Sequence, residues 1–279
     1  MENPPIGASQ HEASEPDVQR LACLELRGGN HQAVYNAQLP GLEAWVSCRP
    51  LRPSVNGGDL YYLSVCSQGA VSRITLADVA GHGEIVSHAA IRLRDALRLH
   101  ADHWDQSDLI RNLNETFLNG AGDSMDYATA FVVGYYGQTG ELVFTNAGHP
   151  QPLWYCALAD EWKPMRESSD KSGSGVSRSG IDMPIGLIPG TSYTQTAVQL
   201  KAEDLLVLYT DGISEAVNPS GEPLGLKRLL KLARGLPVST PNQAGMALLA
   251  AIEAWRDGAS PADDETVIVL RRVPVVEPG

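Results

Sequence analysis

Residues 57–81 read GGDLYYLSVCSQGAVSRITLADVAG. Two runs rich in aromatic and β-branched residues, LYYLSVCS and VSRITLADVA, are separated by a short polar turn, and the segment stops at Gly81. They read as strands joined by a short connection. Asp59 opens the first run and Asp78 ends the second.

On the N-terminal side, AWVSCR from Ala44 reads as a further strand. Residues 1–20 are rich in Pro, Glu, Ser and Gln without periodicity and are expected to form a disordered tail. On the C-terminal side the apolar period changes. Val86, Ala90, Leu93 and Leu97 fall on one stripe, predicting an amphipathic helix over 84–99. A second helix is expected from Ser107 as N-cap, through Leu109, Ile110, Leu113 and Phe117, to Gly120. Strands return as ATAFVVGYY, ELVFTNA and QPLWYCA, with Gln138-Thr139-Gly140 as the first turn, which is an antiparallel meander. The Ser-, Gly- and charge-rich stretch at about 160–180 is expected to be a flexible loop. A strand from Tyr193 to Leu200, the strand LLVLYTD, helices over Leu226–Ala233 and Gln243–Trp255, and a last strand TVIVLRR complete the pattern. Antiparallel strands with paired helices predict an α+β layered fold with a central β-sandwich, residues 21–279 forming a single domain.

Composition narrows the partners. Acidic residues number 33 against 21 Lys plus Arg, a formal charge of −12, and no basic stripe with interleaved aromatics occurs. Nucleic acid is not expected, because neutralising phosphates needs clustered cations. The cysteines, Cys23, Cys48, Cys66 and Cys156, are scattered singly, the N-terminus has no basic-then-apolar signal pattern, and no apolar run reaches the ~18 residues of a membrane span. A cytoplasmic chain is the expectation.

Four carboxylate sites stand where an apolar strand meets a glycine-containing or polar turn: Asp59 in GGDLYYL, Asp78 in ADVAGHG, Asp211 in LYTDGISEA, and Asp263-Asp264 in ADDETVIVL. Singly, each is an ordinary turn or cap residue. Together their flanks matter, since Asp78 and Asp211 end runs that read as buried strands, where an uncompensated charge is costly. Lys and Arg are scarce in these stretches, and hard oxygen donors suit Mg²⁺ or Mn²⁺.

In this order, GGDLYYL, ADVAGHG, TGELVFTNAGHPQPLW, PIGLIPG, LLVLYTDGISEAVNPSGEPLG and DDETVIVLRR resemble the motifs of the SpoIIE-type (RsbU-like) branch of the PP2C metal-dependent protein phosphatases. The resemblance covers about Ala44 to Arg272. It implies a PP2C-like α-β-β-α sandwich of two mostly antiparallel sheets, and hydrolysis of phosphoserine or phosphothreonine with two Mn²⁺ or Mg²⁺ ions. Asp78 would bridge the ions, helped by the Val79 carbonyl. Asp211 and Asp263 would complete the shell of the first ion, and Asp59 would act mainly through water. Asp264 would be a neighbour, or the ligand if the register at the double aspartate is shifted by one. Gly58, Gly81 and Gly212 would let the backbone approach closely. The substrate implied is a phosphorylated protein, an anti-sigma-factor antagonist in a partner-switching pathway. An activating protein in trans and a homodimer are both compatible with the resemblance; nucleic acid and membrane are not among the partners.

Other residues read more plainly. His82 is a candidate proton donor to the leaving oxygen, set against a structural role at its turn, and His149 reads as a packing or turn residue. Cys66 with Arg73 superficially resembles a thiol-phosphatase loop, but the spacing is too long by one residue, so Cys66 is expected in the core. Glu84, Ser87 and His88 follow Gly-His-Gly where the family has a small, apolar helix start. The stretch before Ala44 is too short for the family's usual sensor or dimerising segment, so regulation is expected from a separate partner or from the loop at Ser168 to Ser179. Two other readings compete: a phosphatase-fold binding module with little turnover, and a hydrolase of small phosphate esters.

Overall fold

The expected strand pair lies side by side within a six-stranded sheet, with an earlier strand of the chain on one flank and later strands on the other. The computed structural model describes residues 18–21, 26–66, 70–81, 84–100, 105–120, 126–165 and 182–274. This sheet holds β2 (Leu26–His31), β5 (Asn56–Val65), β6 (Val71–Val79), β7 (Ala128–Tyr136), β8 (Glu141–Ala147) and β11 (Thr196–Gln199), in the order β11-β8-β7-β6-β5-β2. A seven-stranded sheet holds β1 (Val18–Arg20), β3 (Ala33–Leu39), β4 (Leu42–Arg49), β9 (Leu153–Cys156), β10 (Glu161–Pro164), β12 (Leu205–Tyr209) and β13 (Glu265–Arg272), in the order β1-β3-β4-β13-β12-β9-β10. Of the strand pairs, β1 with β3 is parallel and the others are antiparallel.

The two-residue repeat of a strand decides which sheet face each side chain meets. In β5, Tyr61 and Leu63 point to the other sheet and join Val46, Leu206 and Ile268, while Leu60 and Tyr62 point the opposite way. On that outer face lie α1 (Glu84–Leu99) and α2 (Gln106–Gly120), which bury Val86, Ala90, Leu93 and Leu97 from one and Leu109, Ile110, Leu113 and Phe117 from the other. The seven-stranded sheet is covered by α4 (Gly225–Ala233) and α5 (Pro241–Arg256). At about 1.5–3 kcal/mol for each large apolar side chain, these three layers of core dominate the folding energy. Helix α5 is capped by Thr240, whose hydroxyl accepts the Gln243 N–H at 3.2 Å, and its Gly245 lets the Trp45 ring come so close that a Cβ there would stand 2.1 Å from it. The expected α-β-β-α sandwich is the observed one. No described helix is long and apolar enough to cross a membrane.

Several boundaries differ from the sequence reading. Val18–Arg20, at the end of the expected tail, pair with Asn36–Gln38 as β1, because backbone pairing needs no apolar pattern. Residues 1–17 lie outside the described residues. Within the expected loop at 160–180, Glu161–Pro164 form β10, held by the hairpin with β9 and by Trp162 against Tyr155; the remainder, from 166, lies outside the described residues. The cap of α2 is Asp105 rather than Ser107, since its carboxylate accepts the N–H groups of Ser107 and Asp108 at 2.8 and 3.0 Å. Cys66 is only half-buried. Its sulfur accepts the Val71 N–H at 3.2 Å at the mouth of the β5–β6 connection, while Arg73 is buried and donates to Gln106.

Candidate active site

The sheet register sets Asp59 of β5 directly opposite Asp78 of β6, and Asp78 opposite Thr129 of β7. By strand parity these side chains share the inward face with Tyr61, Leu76 and Phe131, so each continues an apolar row into a polar end layer between the sheets. From the other sheet the same layer receives Cys48, Thr210, Asp264 and Thr266, in parity with Val46, Leu208 and Ile268. Asp211 follows at the first turn of the short helix α3 (Asp211–Ser214).

Asp59 is 2% exposed, and one of its carboxylate oxygens accepts the Thr210 hydroxyl at 2.8 Å. That hydroxyl in turn accepts the Thr266 N–H at 3.0 Å, tying β5 to β12 and β13. Burial first, and then the charge of Asp78, push the Asp59 carboxyl well above the ordinary carboxylate range. Burial raises Asp78 to about 8, with Asp211 and Asp263 as the next causes, and raises Asp211, with Glu215 next. Neither Asp59, Asp78 nor Asp211 has a Lys or Arg ion pair among the described residues. The nearby Cys48 thiol is pushed up to about 12 by burial, which keeps it protonated and inert.

The double aspartate divides its labour. Asp264 is buried, and its carboxylate accepts the backbone N–H groups of Leu51 and Gly58, each at 2.6 Å, and of Asp59 at 3.4 Å. It therefore clamps the β4–β5 connection to the start of β13. Asp263 is exposed, accepts the Asp264 N–H at 2.8 Å, and lies beside Gly212. Asp264→Ala is expected to cost on the order of 3 kcal/mol, because it strands buried amides that donated to a charge. Asp263→Ala is expected to cost under about 0.5 kcal/mol, as an exposed change. Urea midpoints of the two variants check this; equal losses would contradict the division.

The glycines mark close approaches. A Cβ on Gly58 would stand 3.0 Å from the Val79 carbonyl oxygen and 3.5 Å from an Asp78 carboxylate oxygen. A Val86 methyl carbon is nearer still, at 2.8 Å, so the missing side chain lets the strand start pack against α1 with the two oxygens on its other side, oxygens of the kind a hard divalent cation takes. Gly81 has φ +112°, a conformation that side chains rarely adopt. Among the described residues no three acidic, histidine or cysteine groups are already drawn together as a chelating cluster, so the fit to such an ion stands on the donor set and on these two oxygens. His82 lies outside the described residues.

The sequence reading missed Thr210, Thr129 and Asn30. Asn30 donates to the Gly57 carbonyl at 2.9 Å and the Ser87 hydroxyl at 3.0 Å, binding the Gly-Gly-Asp strand start to α1. Nothing in the sequence flags them, since their partners are 20 to 151 residues away. A cavity of about 610 Å³ opens beside Asp263, with Arg49, Leu51, Arg52 and Glu253 on its walls. Its Glu265 wall is held by the buried ion pair with Arg256.

A family model described as Stage II sporulation protein E (SpoIIE) matches residues 68–273. Phosphoserine phosphatase RsbP of Bacillus subtilis (strain 168) is 24% identical over 224 residues, 76% of this chain and 48% of RsbP. Phosphoserine phosphatase RsbU of the same organism is 23% identical over 251 residues, covering 89% of this chain and 70% of RsbU. The chain thus spans about half the length of the first of these relatives. Among solved structures, the PP2C phosphatase domain of SpoIIE from Bacillus subtilis, with a fragment of its regulatory domain, superposes with a TM-score of 0.68 at 19% identity, over 83% of this chain and 64% of that one. With a match over most of its length and a shared two-sheet architecture, the chain belongs to the SpoIIE family and has the PP2C fold.

Proposed function

We propose that the chain is a metal-dependent serine/threonine protein phosphatase that hydrolyses phosphoserine or phosphothreonine on a regulatory protein. The observation that carries this reading is the set Asp59, Asp78, Asp211 and Asp263, brought from both sheets to one end of the sandwich, with the carboxyls of Asp59, Asp78 and Asp211 pushed upward by burial and then by neighbouring carboxylates. Such a cluster is at ease only with cations among it. Asp78, Asp211, Asp263 and the Val79 carbonyl would hold two Mn²⁺ or Mg²⁺ ions, with Asp59 behind them and Asp264 holding the backbone rather than an ion. When bound, the ions supply Lewis-acid polarisation of the phosphoryl group and acidify water for in-line attack. The chain's own part is to position. Thr210 orients Asp59, Asp264 fixes the strand start, and Gly58 and Gly212 let backbone stand close to the cluster. Arg52, on the wall of the adjoining cavity beside the Arg49–Glu253 ion pair, offers positive charge to an arriving phosphoprotein.

By the family's habit, the protein substrate is an anti-sigma-factor antagonist of a cytoplasmic partner-switching pathway, with an activating protein and dimerisation as further levels of control. The test is phosphate release from a phosphoserine protein as Mn²⁺ is titrated, with wild type and Asp211→Asn side by side. The expected result is Mn²⁺-dependent release that Asp211→Asn lowers at least ~100-fold. Measured Mn²⁺ binding without release from any phosphoprotein would favour the binding-module reading instead.

A further inference from the structure

The last residue of α5 and the first residue of β13 are joined by a buried ion pair. Arg256 and Glu265, 2% and 4% exposed, meet side chain to side chain at the end of the helix. By strand parity Glu265 lies on the outer face of its sheet with Val267 and Val269, which α5 covers, whereas Asp264 points inward. The Arg256 guanidinium also donates to Glu253 at 3.3 Å, and Glu253 pairs with Arg49 at 3.6 Å, so charges of alternating sign run from the cavity wall into the core. Between the paired residues the chain turns a corner. The Asp257 N–H still reaches the Glu253 carbonyl at 3.1 Å and the Ala259 N–H that of Arg256 at 3.0 Å, with Asp257 and Gly258 at φ +45° and +90°. From 257 to 263 no residue is buried, and Ser260, Pro261 and Asp263 line the cavity of about 610 Å³. Core packing therefore does not hold this corner, and its two ends are what the fold fixes.

We propose that Arg256 is a positioning residue: by pinning Glu265 it fixes the corner that carries Asp263 and Asp264, and so holds Asp263 against the turn of Asp211 and Gly212. Stability alone does not account for such a pair, since a buried ion pair can often be replaced by apolar side chains of like volume without loss. Apolar side chains do not supply direction. The guanidinium does, and it sets how β13 begins to the fraction of an ångström that ion ligands require. The placing of Asp263 rests on the proposed reading of the carboxylates as an ion site, and the pinned corner stands without any ion.

The experiment compares wild type with Arg256→Met, Glu265→Gln and the double variant Arg256→Met/Glu265→Leu, by urea unfolding, by amide hydrogen exchange in the absence of divalent ions and by calorimetric Mn²⁺ titration. Arg256→Met leaves Glu265 buried without its cation and is expected to lower the urea midpoint by about 1 M. The double variant is expected to regain the wild-type midpoint to within ~0.3 M. It should nonetheless exchange the amides of Leu51, Gly58 and Asp264 about tenfold faster, with Ile74 and Leu248 unchanged, and bind Mn²⁺ about tenfold more weakly. A residue that only stabilised the fold would give wild-type exchange and affinity once the midpoint had been regained. Glu265→Gln, in which Arg256 keeps Glu253 as its partner, should show the same faster exchange and keeps the test open if the double variant fails to fold. Wild-type exchange at the three amides in the double variant and in Glu265→Gln would overturn the pinned corner. Faster exchange with unchanged Mn²⁺ affinity would overturn its role in placing Asp263. A wild type that binds no Mn²⁺ would overturn the ion reading, with the exchange measurement still deciding whether Arg256 fixes the corner.

Discussion

Replacing Asp78 by asparagine is expected to abolish Mn²⁺-dependent phosphate release and, without divalent ions, to make the protein more stable. The sign follows from the raised carboxyl, at about 8 in the fold against an ordinary 3.8. Below about pH 4 both folded and unfolded chains are protonated there, and the group is neutral to stability. As pH rises, the unfolded chain ionises first, so folding stability falls until the folded carboxyl also ionises near pH 8. The penalty is then fully present. Asparagine never incurs it, so the difference between variant and wild type should grow from near zero at pH 4 to on the order of 2 kcal/mol at pH 8, a midpoint shift of roughly 5 °C. Saturating Mn²⁺ should reverse the ranking, because only the wild type gains from binding. Thermal melts at pH 4, 6 and 8, with and without Mn²⁺, measure this. Equal melting of the two proteins at every pH would refute the charge-cluster account.

Gly212→Ala should be the most damaging single-methyl change near the site. A Cβ at Gly212 would stand 2.0 Å from the Asp264 carbonyl oxygen and 3.5 Å from the Asp263 Cβ, so α3 and the start of β13 must separate. Neither neighbour is the far end of a flexible side chain. The cost is expected to be about 3 kcal/mol. The larger effect falls on phosphate release, because Asp211 and Asp263 are carried on the two segments forced apart, and a displacement of about 1 Å can cost roughly 100-fold. Gly235→Ala is the matched control, where the new methyl would meet only the Leu232 carbonyl at 3.6 Å, an ordinary contact. Similar urea midpoints and release rates for the two variants would show that the close approach at Gly212 carries no weight.

The strands and helices with strong periodicity were legible in the residues, and so was the family resemblance of the motifs. Val86, Ala90, Leu93 and Leu97 mark α1 because they face a single wall, and LLVLY marks β12 because it is buried on both faces. Strand β2 was not legible. LRGGNH carries two glycines and little apolar pattern, and it is held by its pairing with β5, including a register shift between Gly29 and His31. The candidate aspartates could be named from their flanks, but not their division of labour. Asp263 and Asp264 are chemically identical neighbours, and only the tertiary approach of Leu51 and Gly58 makes one a backbone clamp. Likewise the pairing of His149 with Thr129 depends on how β7 and the turn after β8 meet.

The place of β13 bears on when the protein becomes competent as it is made. It follows β4 by more than 200 residues, yet it lies inside its sheet, between β4 and β12, and Asp263 and Asp264 immediately precede it. A nascent chain in which residues 263–272 are still in the ribosome leaves β4 and β12 with open edges and lacks part of the acidic set. Products that stop before residue 263 should therefore be both inert and prone to self-association, so activity would appear only in chains that extend through β13.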